Sequence, residues 1–279
     1  MPPSLEPIPT EVVRECLERS GYLMESRLVK ALSLADYFVE PNVTHKDPRT
    51  GKARELDLTA ESAHIGYGSR ATVKTTFVIE AVNNRFPLVL LTQRPSTPNA
   101  DSESYLKFAA SPEPCPFSNL LDLYEEKGAD WRNLFSQFCA LTKKSGRDEL
   151  MASHPDDIYS SLQKLSEYTE DQISEFAEWT KDETGKYWRL FFWHPMLVVS
   201  GQLMTATLGE SGELQLLEVP LARLEFNWHD AEVRRTTVIE VVREDFLLER
   251  CDSIRSHDQA VEQRIAQFRA QNDGASETE

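Results

Sequence analysis

The chain has 279 residues, of which 40% are hydrophobic and 27% charged, a composition typical of a soluble globular protein with a sizeable core. Lysine and arginine total 30 against 46 aspartates and glutamates, so the formal net charge is -16. This excess of acid opposes non-specific adhesion to nucleic acid, because sequence-independent affinity depends on cations that neutralise phosphates. We therefore expect any basic groove to be confined to a small part of the surface. The excess of acidic residues favours a basic or protein partner.

The spacing of the cysteines and the hydropathy of the chain indicate the cellular compartment in which we expect it. Cys16, Cys115, Cys139 and Cys251 lie far apart and lack the paired spacing of a zinc site. The first residues are polar and proline-rich, which is not the pattern of a signal peptide. No uncharged run approaches the roughly 18 residues that a membrane helix needs. We expect a cytoplasmic protein with reduced cysteines and no membrane contact.

Two helices are predicted at the start of the chain. The first begins near Thr10 and has an apolar face formed by Val13, Cys16 and Leu17. The second spans 22–34, after the helix-breaking pair at 20–21. Their spacing of apolar residues predicts that both pack against a core.

A hairpin and a further strand are predicted next. Alternating residues at 37–44 predict a strand, and the segment 47–51 has the proline and glycine of a turn. A second strand is expected to end near Asp57, and a flexible connection is predicted over 63–70. Another strand then covers 76–82.

One acid lies among apolar neighbours in that last strand. Because side chains alternate along a strand, Val78, Glu80 and Val82 share one face. Burying a carboxylate costs several kcal/mol unless a charge, a metal or hydrogen bonds compensate it. Glu80 therefore needs a partner, and Asp57 on the preceding strand is the obvious companion.

A divalent cation would explain this pair of acids. Two carboxylates that lie close together without a cation repel, and one tends to protonate. A magnesium ion held by one or two carboxylates can activate water and neutralise charge that develops on a phosphate. The alternative is that Asp57 and Glu80 form ordinary salt bridges, with Arg54 or Lys52 as partners.

The middle of the chain is predicted to mix one strand with helices. The apolar run 88–93 is typical of a strand buried on both faces. A proline-rich loop follows over 94–116, and the aromatic spacing within 120–141 predicts a helix. The segment 156–183 predicts an acidic amphipathic helix or helix pair. Its acidic face is either solvated, a docking surface for a basic partner, or part of an arm that controls access to the site.

The last third is predicted to be rich in strands. The runs 191–199 and 203–208 are interpreted as a bent strand pair, and a turn at 209–212 joins the second to a strand at 214–219. A further strand is predicted at 236–242. The last helix is predicted to begin near Ser256 with a capping box.

Several of these segments together resemble the core of the PD-(D/E)XK nuclease superfamily, which has the restriction-endonuclease-like fold. The matching residues are Gly21-Tyr22-Leu23-Met24-Glu25, Tyr37-Phe38-Val39-Glu40, Asp47-Pro48-Arg49-Thr50-Gly51-Lys52, Arg54-Glu55-Leu56-Asp57 and Val78-Ile79-Glu80-Ala81-Val82. The resemblance implies that Asp57 and Glu80 hold Mg²⁺ or Mn²⁺ and that Glu25 approaches the ion from the helix side. It also implies a lysine two residues after the glutamate, and this chain has Val82 there.

The resemblance implies an α/β fold, with a central mixed β-sheet flanked by helices. We expect a single domain over 1–279, in which 1–93 begins the nuclease-like core and 94–189 adds the proline-rich loop and a helical insertion. Residues 190–270 are expected to complete the core as a β-rich extension with a C-terminal helix. The tail 271–279 is expected to be disordered.

The missing lysine leaves the source of positive charge open. Asn83 and Asn84 can donate hydrogen bonds but carry no charge, Arg85 is a poor proton acceptor, and Lys30 would have to reach the site from the second helix. Gln93 is a further residue that could line the same edge.

Three functional hypotheses follow. The first is a magnesium-dependent nuclease that hydrolyses phosphodiesters of nucleic acid, with Asp57, Glu80 and Glu25 at its site. The second is a nuclease-derived binding or regulatory subunit without catalysis, which Val82 and the acidic charge favour. The third is a structural protein in which the two acids form salt bridges.

Overall fold

The computed structural model describes residues 7–47, 51–66, 70–95, 106–111, 133–143, 149–181, 187–230 and 233–276. The helices are α1 (Thr10–Arg19), α2 (Tyr22–Leu34), α3 (Asp156–Thr180) and α4 (Leu247–Ser276), with a 3-10 turn at Glu244–Phe246. The strands are β1 (Phe38–Lys46), β2 (Ala53–Gly66), β3 (Ala71–Val82), β4 (Leu88–Pro95), β5 (Lys107–Ser111), β6 (Asn133–Lys143), β7 (Leu150–Ser153), β8 (Trp188–Val199), β9 (Leu203–Leu208), β10 (Leu214–Glu218), β11 (Leu221–Asp230) and β12 (Val233–Arg243).

All of these strands belong to one mixed sheet with the order β1-β2-β3-β8-β12-β11-β6-β4-β9-β10. Strands β1, β2 and β3 form an antiparallel meander, and β8 runs parallel to β3 along its whole length. The connection between those two parallel strands includes α3, which packs on the sheet. Strand β5 pairs with the first half of β8, and β7 pairs with β6.

Helices cover both faces of the sheet. On one face, α2 and the first half of α4 bury Leu28 and Ile254 in a cluster with Phe77 and Ile79 of β3. On the other face, α3 packs in a larger cluster that includes Val78 of β3. The second half of α4 covers the start of β3 and β8 in a third cluster. The chain is therefore an α/β protein with a large mixed sheet flanked by helices.

Several predicted elements are confirmed. Helix α2 has the predicted span, the hairpin β1–β2 and strands β3 and β4 are present, and the turn at 209–212 joins β9 to β10. The acidic segment forms one helix, α3, which buries the predicted apolar stripe. Its buried members are Ile158, Leu162, Leu165 and Phe176.

Other predictions were wrong. The part of the predicted helix 120–141 that lies within the described residues is strand β6, and β5 lies within the predicted proline-rich loop. Strand β2 continues to Gly66, where we expected a flexible connection from residue 63. The described part of 94–189 therefore contains three strands as well as α3.

The last third also differs from expectation. Strands β8 and β9 do not pair with each other, since β8 lies between β3 and β12 while β9 lies between β4 and β10. Helix α4 begins at Leu247 instead of Ser256 and continues through most of the tail that we expected to be disordered. The apolar face predicted for α1 is largely exposed, with Val13 42% and Leu17 39% exposed.

Among the described cysteines, Cys16, Cys139 and Cys251 form no disulfide with one another. Cys115 lies outside the described residues, so the expectation of reduced thiols stays a prediction.

Candidate functional site

The candidate site lies where β2 and β3 part. Their backbone pairing runs from Gly66 opposite Ala71 to Leu58 opposite Ile79, and it ends there. Asp57 and Glu80 are the next residues on the two strands. Asp57 is the fifth residue of the fourteen in β2, so it does not end its strand as predicted, but it does mark the end of the pairing with β3.

Hydrogen bonds hold each of the two acids to the other's strand. The backbone N–H of Ala81 donates to Asp57 Oδ2 at 2.7 Å, and the backbone N–H of Asp57 donates to Glu80 Oε1 at 3.3 Å. The carboxylates therefore span the gap between the parted strands. The structure brings together the two acids that the sequence singled out.

The backbone changes direction at Asp57. Leu56 packs in the cluster under α3, whereas Leu58 packs in the cluster under α2, on the opposite face of the sheet. Residues two apart in a regular strand share a face, so the strand is irregular between them. On the neighbouring strand β1, Asn42 has a positive φ of 55°, which places a second irregularity in the same part of the sheet.

Glu80 is deeply buried and incompletely neutralised. Only 2% of the residue is exposed. Burial, and then the nearby charge of Asp57, raise the pKa of Glu80 to about 7, although Lys164 and a hydrogen bond from Ser161 act in the opposite direction. Burial also raises the pKa of Asp57. Both acids therefore lie where added positive charge would be favourable.

Lys164 of α3 supplies part of that charge. Its Nζ lies 2.6 Å from Glu80 Oε2 and also donates to the backbone carbonyl of Glu55 at 3.0 Å. The sequence reasoning did not identify this lysine. A signal was present, because Lys164 is one of two basic residues in 156–183 and lies directly before Leu165 of the apolar stripe.

Glu25 is a third acid near the pair. Its pKa is raised by burial, then by the charges of Asp57 and Glu55, and it is lowered by Lys164. Glu25 lies on α2, so the acids come from a helix and two strands. Three acids and one lysine leave the site with an excess of negative charge.

The donor set fits a magnesium ion only through two carboxylates. Among the described residues, no group of three or more histidine, cysteine, aspartate or glutamate side chains is arranged to hold a metal. Mg²⁺ in proteins commonly binds one or two carboxylates and keeps several waters, so Asp57 and Glu80 suffice in type and number. Lys164 would share Glu80 with such an ion.

Val82 and three of the residues considered near the missing lysine have other roles or positions. Val82 packs against the apolar cluster under α3. The side chain of Asn83 binds Ser20 and Ser200, and that of Asn84 binds Phe86 and Gly201. These two asparagines therefore organise the connections that surround the end of β3. Gln93 lies on β4, five places from β3 in the sheet order, so it does not line the same edge.

The alternative that Arg54 neutralises Asp57 or Glu80 was wrong. Arg54 pairs with Asp47 at 2.6 Å and with Glu167 of α3 at 3.2 Å. Lys30 and Arg85 are both exposed. The lysine that reaches Glu80 comes from the helix on the other face of the sheet from α2.

The acidic face of α3 is only partly solvated. Glu167 is buried and holds Arg54, and Glu170 pairs with Lys107 and Arg235. Some of its acids therefore join the helix to the sheet.

Comparison of the chain with protein-family models, with curated proteins and with solved structures finds no match. Among the described helices, none has the length and apolar character required to cross a bilayer.

Proposed function

We propose that this chain is a metal-dependent nuclease with a restriction-endonuclease-like core, in which Asp57 and Glu80 bind Mg²⁺ and Lys164 replaces the lysine that the resemblance places at residue 82. The observation that carries the proposal is the contact of 2.6 Å between Lys164 Nζ and Glu80 Oε2, beside a second carboxylate. A plain salt bridge would need one acid, whereas this lysine lies among Glu25, Asp57 and Glu80.

The order of elements supports the proposed core. Outside the segment 47–52, the acids of the segments that carry the resemblance lie on α2 (Glu25), β1 (Glu40), β2 (Asp57) and β3 (Glu80) in the order expected. Asp57 and Glu80 meet at the end of the β2–β3 ladder. Strand β8 then returns parallel to β3 after α3, so the helix that brings Lys164 to Glu80 belongs to the crossover between these two strands.

Each residue of the site has a role in the proposed reaction. The bound cation would supply an activated water and neutralise charge on the phosphate. Asp57 is oriented by the N–H of Ala81, and Glu80 is oriented by Lys164 and Ser161. In the proposed reaction the ammonium of Lys164 would stabilise negative charge that develops on the phosphate.

A basic segment adjoins the site despite the acidic chain. Lys46 ends β1 and pairs with Ala53, four residues before Asp57 on β2, and Lys52 directly precedes β2; both lysines are exposed. Such residues can contact phosphates of a nucleic acid, and affinity that depends on them falls as salt concentration rises. The net charge of -16 predicts that this binding is weak outside the site.

The test is cleavage of supercoiled plasmid and single-stranded DNA and RNA by purified protein with Mg²⁺ or Mn²⁺. We expect metal-dependent cleavage that Glu80→Ala and Lys164→Ala each abolish. Lys107→Ala is the matched control, because Lys107 pairs with Glu170 on the same helix, outside the site. Its activity should be that of the wild type, and absence of metal-dependent cleavage in the wild type would overturn the proposal.

A relocation experiment tests the role of the lysine directly. Val82 faces the same side of the sheet as Glu80, so a lysine there would enter the same region. The double variant Lys164→Ala/Val82→Lys should recover part of the cleavage that Lys164→Ala loses. If both variants fold, bind Mn²⁺ and remain equally inactive, the ammonium is not what the site requires from Lys164.

The second candidate is a nuclease-derived binding or regulatory subunit. The burial of Val82 in an apolar cluster favours it, because the position implied by the resemblance holds no charged group. Calorimetry with Mn²⁺ separates the two functions. Binding that Asp57→Ala removes, without cleavage of any nucleic acid by the wild type, would favour the subunit.

A further inference from the structure

The last strand of the sheet order, β10, carries an exposed apolar surface. All five of its residues are exposed. The leucines of β10 and of the turn-proximal end of β9 are exposed by more than half. They are Leu208 at 74%, Leu214 at 62%, Leu216 at 55% and Leu217 at 64%.

The backbone of β10 also has an open edge. Glu213 accepts a hydrogen bond from the N–H of Gly209 at 2.9 Å, and the N–H of Val219 donates to Leu203 at 3.0 Å. In this antiparallel register the odd-numbered residues bond to β9, so the N–H and C=O groups of Leu214, Leu216 and Glu218 point away from it. Within the described part of the chain, no strand pairs with that edge.

The opposite end of the sheet is protected. Strand β1 contains Pro41, which has no N–H to donate, and Asn42, whose φ of 55° interrupts the strand. Proline and local distortion are devices that prevent an edge from pairing with another chain. Strand β10 has the sequence Leu-Gln-Leu-Leu-Glu and neither device.

The geometry points to a second copy of this chain as the occupant of the β10 edge. Two β10 strands can pair antiparallel around a two-fold axis that passes midway between the Leu216 residues of the two copies. Leu216 then lies opposite Leu216 of the second copy, and Leu214 lies opposite Glu218. The three outward-facing residues of each copy form hydrogen-bonded pairs, which extends the sheet from one molecule into the next.

Charge and side-chain direction agree with this register. Leu208, Leu214 and Leu216 share one face of the hairpin, so six leucines from two copies would form one cluster. Glu218 lies opposite Leu214, and Glu213 lies opposite Val219, so no acid directly faces an acid. The pairing therefore avoids direct repulsion in a chain of net charge -16.

The area predicts a weak dimer. Leu208, Leu214 and Leu216, which are half to three-quarters exposed, offer about 300–400 Å² of apolar surface per copy, compared with about 800 Å² per partner in a standard interface. We expect the full chain to be a monomer at about 1 µM and mainly a dimer at about 300 µM, as a small interface requires.

The experiment is sedimentation equilibrium of the full chain over this concentration range. The mass of the wild type should rise from 31.8 kDa toward twice that value. Leu216→Glu places two like charges at the two-fold axis and should lower the association constant at least tenfold. Ile65→Glu is the matched control, because Ile65 is 56% exposed on β2, and it should associate as the wild type does.

Hydrogen exchange distinguishes the occupants and confirms that the variants are folded. At high concentration the amides of Leu214, Leu216 and Glu218 should become protected in the wild type and in Ile65→Glu, but not in Leu216→Glu. A monomer with protected amides would assign the edge to another segment of this chain. If the wild type stays monomeric and these three amides stay unprotected, the β10 edge is open to a different protein. Either result, or association unchanged in Leu216→Glu, overturns the second-copy proposal.

Discussion

Two buried glutamates lie on either side of β8 and have opposite electrostatic environments. Glu80 of β3 pairs in register with Leu197, and Glu240 of β12 pairs with Met196, so the two acids lie at nearly the same level of the sheet. Both are less than 10% exposed. Glu80 faces α3, whereas Glu240 faces α4.

Glu240 is fully neutralised. Arg250 of α4 donates to it from two nitrogens, at 2.8 and 2.6 Å, and Arg223 of β11 donates at 3.2 Å. Burial by itself would raise the pKa of Glu240, but Arg250 and Arg223 outweigh burial and lower it to about 2. Glu80 has one lysine and a neighbouring acid, and its pKa is raised to about 7.

The difference separates a structural charge from a candidate functional one. A buried acid with bidentate arginine contacts has its requirements met by the fold. A buried acid with a raised pKa beside a second acid is typical of a site that binds a cation or transfers a proton. The following predictions test whether the two glutamates differ in this way.

The largest expected effect is on cleavage. Glu80→Gln should lower the initial rate of DNA cleavage with Mg²⁺ by about 10³-fold or more, because it removes a ligand of the proposed cation and a partner of Lys164. Arg243→Gln, which breaks exposed ion pairs with Glu218 and Asp245, is a control expected to cleave at the rate of the wild type. Full cleavage activity of the Glu80→Gln variant would contradict the functional role assigned to Glu80.

The next effect is on stability. Glu240→Gln should lower the free energy of unfolding by about 3–5 kcal/mol, because it leaves Arg223 and Arg250 buried without their shared carboxylate. Urea denaturation at pH 7 measures it. A loss below about 1 kcal/mol, the range of exposed ion pairs, would show that the cluster is not what stabilises this part of the sheet.

The two acids should respond to pH in opposite directions. The folded pKa of Glu80 lies above its ordinary value of 4.5, so its ionisation destabilises the fold as pH rises from about 4.5 to about 7. Glu80→Gln should therefore gain stability relative to the wild type over this interval, by about 2–3 kcal/mol, in denaturation measured at several pH values.

Ionisation of Glu240 has the opposite effect on the stability of the fold. Its folded pKa of about 2 lies below 4.5, so the stabilisation is complete above pH 4.5 and is lost as pH falls through about 2. The difference in stability between the wild type and Glu240→Gln should shrink over that interval. A difference that stays constant from pH 5 to pH 2 would contradict the assigned role of the carboxylate.

The smallest effect is on metal affinity. Because Glu80 must lose its proton to bind a cation, the association constant for Mn²⁺ should rise about tenfold per pH unit up to about pH 7 and then level off. Calorimetry in buffers of different ionisation enthalpy should show about one proton released per ion below pH 7. Binding that is independent of pH would place the ion elsewhere.

Local sequence patterns predicted part of the candidate site. The alternation at 76–82 correctly placed Val78, Glu80 and Val82 on one face. The strands on either side of 47–51 pair as the predicted hairpin requires, although residues 48–50 lie outside the described part of the chain. The acidic helix was also recognised, because its apolar residues repeat at three and four positions. Side-chain direction within one element depends mainly on backbone geometry, so a short segment is sufficient to determine it.

Buried strands were harder to recognise. Residues 133–143 were predicted to be helical from the spacing of Leu134, Phe135 and Phe138, yet they form β6 between β11 and β4. A strand that is covered on both faces has apolar residues at successive positions, and a short run of this kind does not distinguish strand from helix. The pairing of β6 with its neighbours decided its conformation.

The sequence by itself determined the class of fold, the two acids that converge and the absence of a lysine after Glu80. Only the tertiary structure decided that Lys164 would reach Glu80 and that Arg54 would not, because these contacts join elements far apart in the chain. It also decided that Glu240 would be neutralised from β11 and α4 while Glu80 would not. The charge environment of a buried group depends on which elements pack around it, and a local pattern does not contain that information.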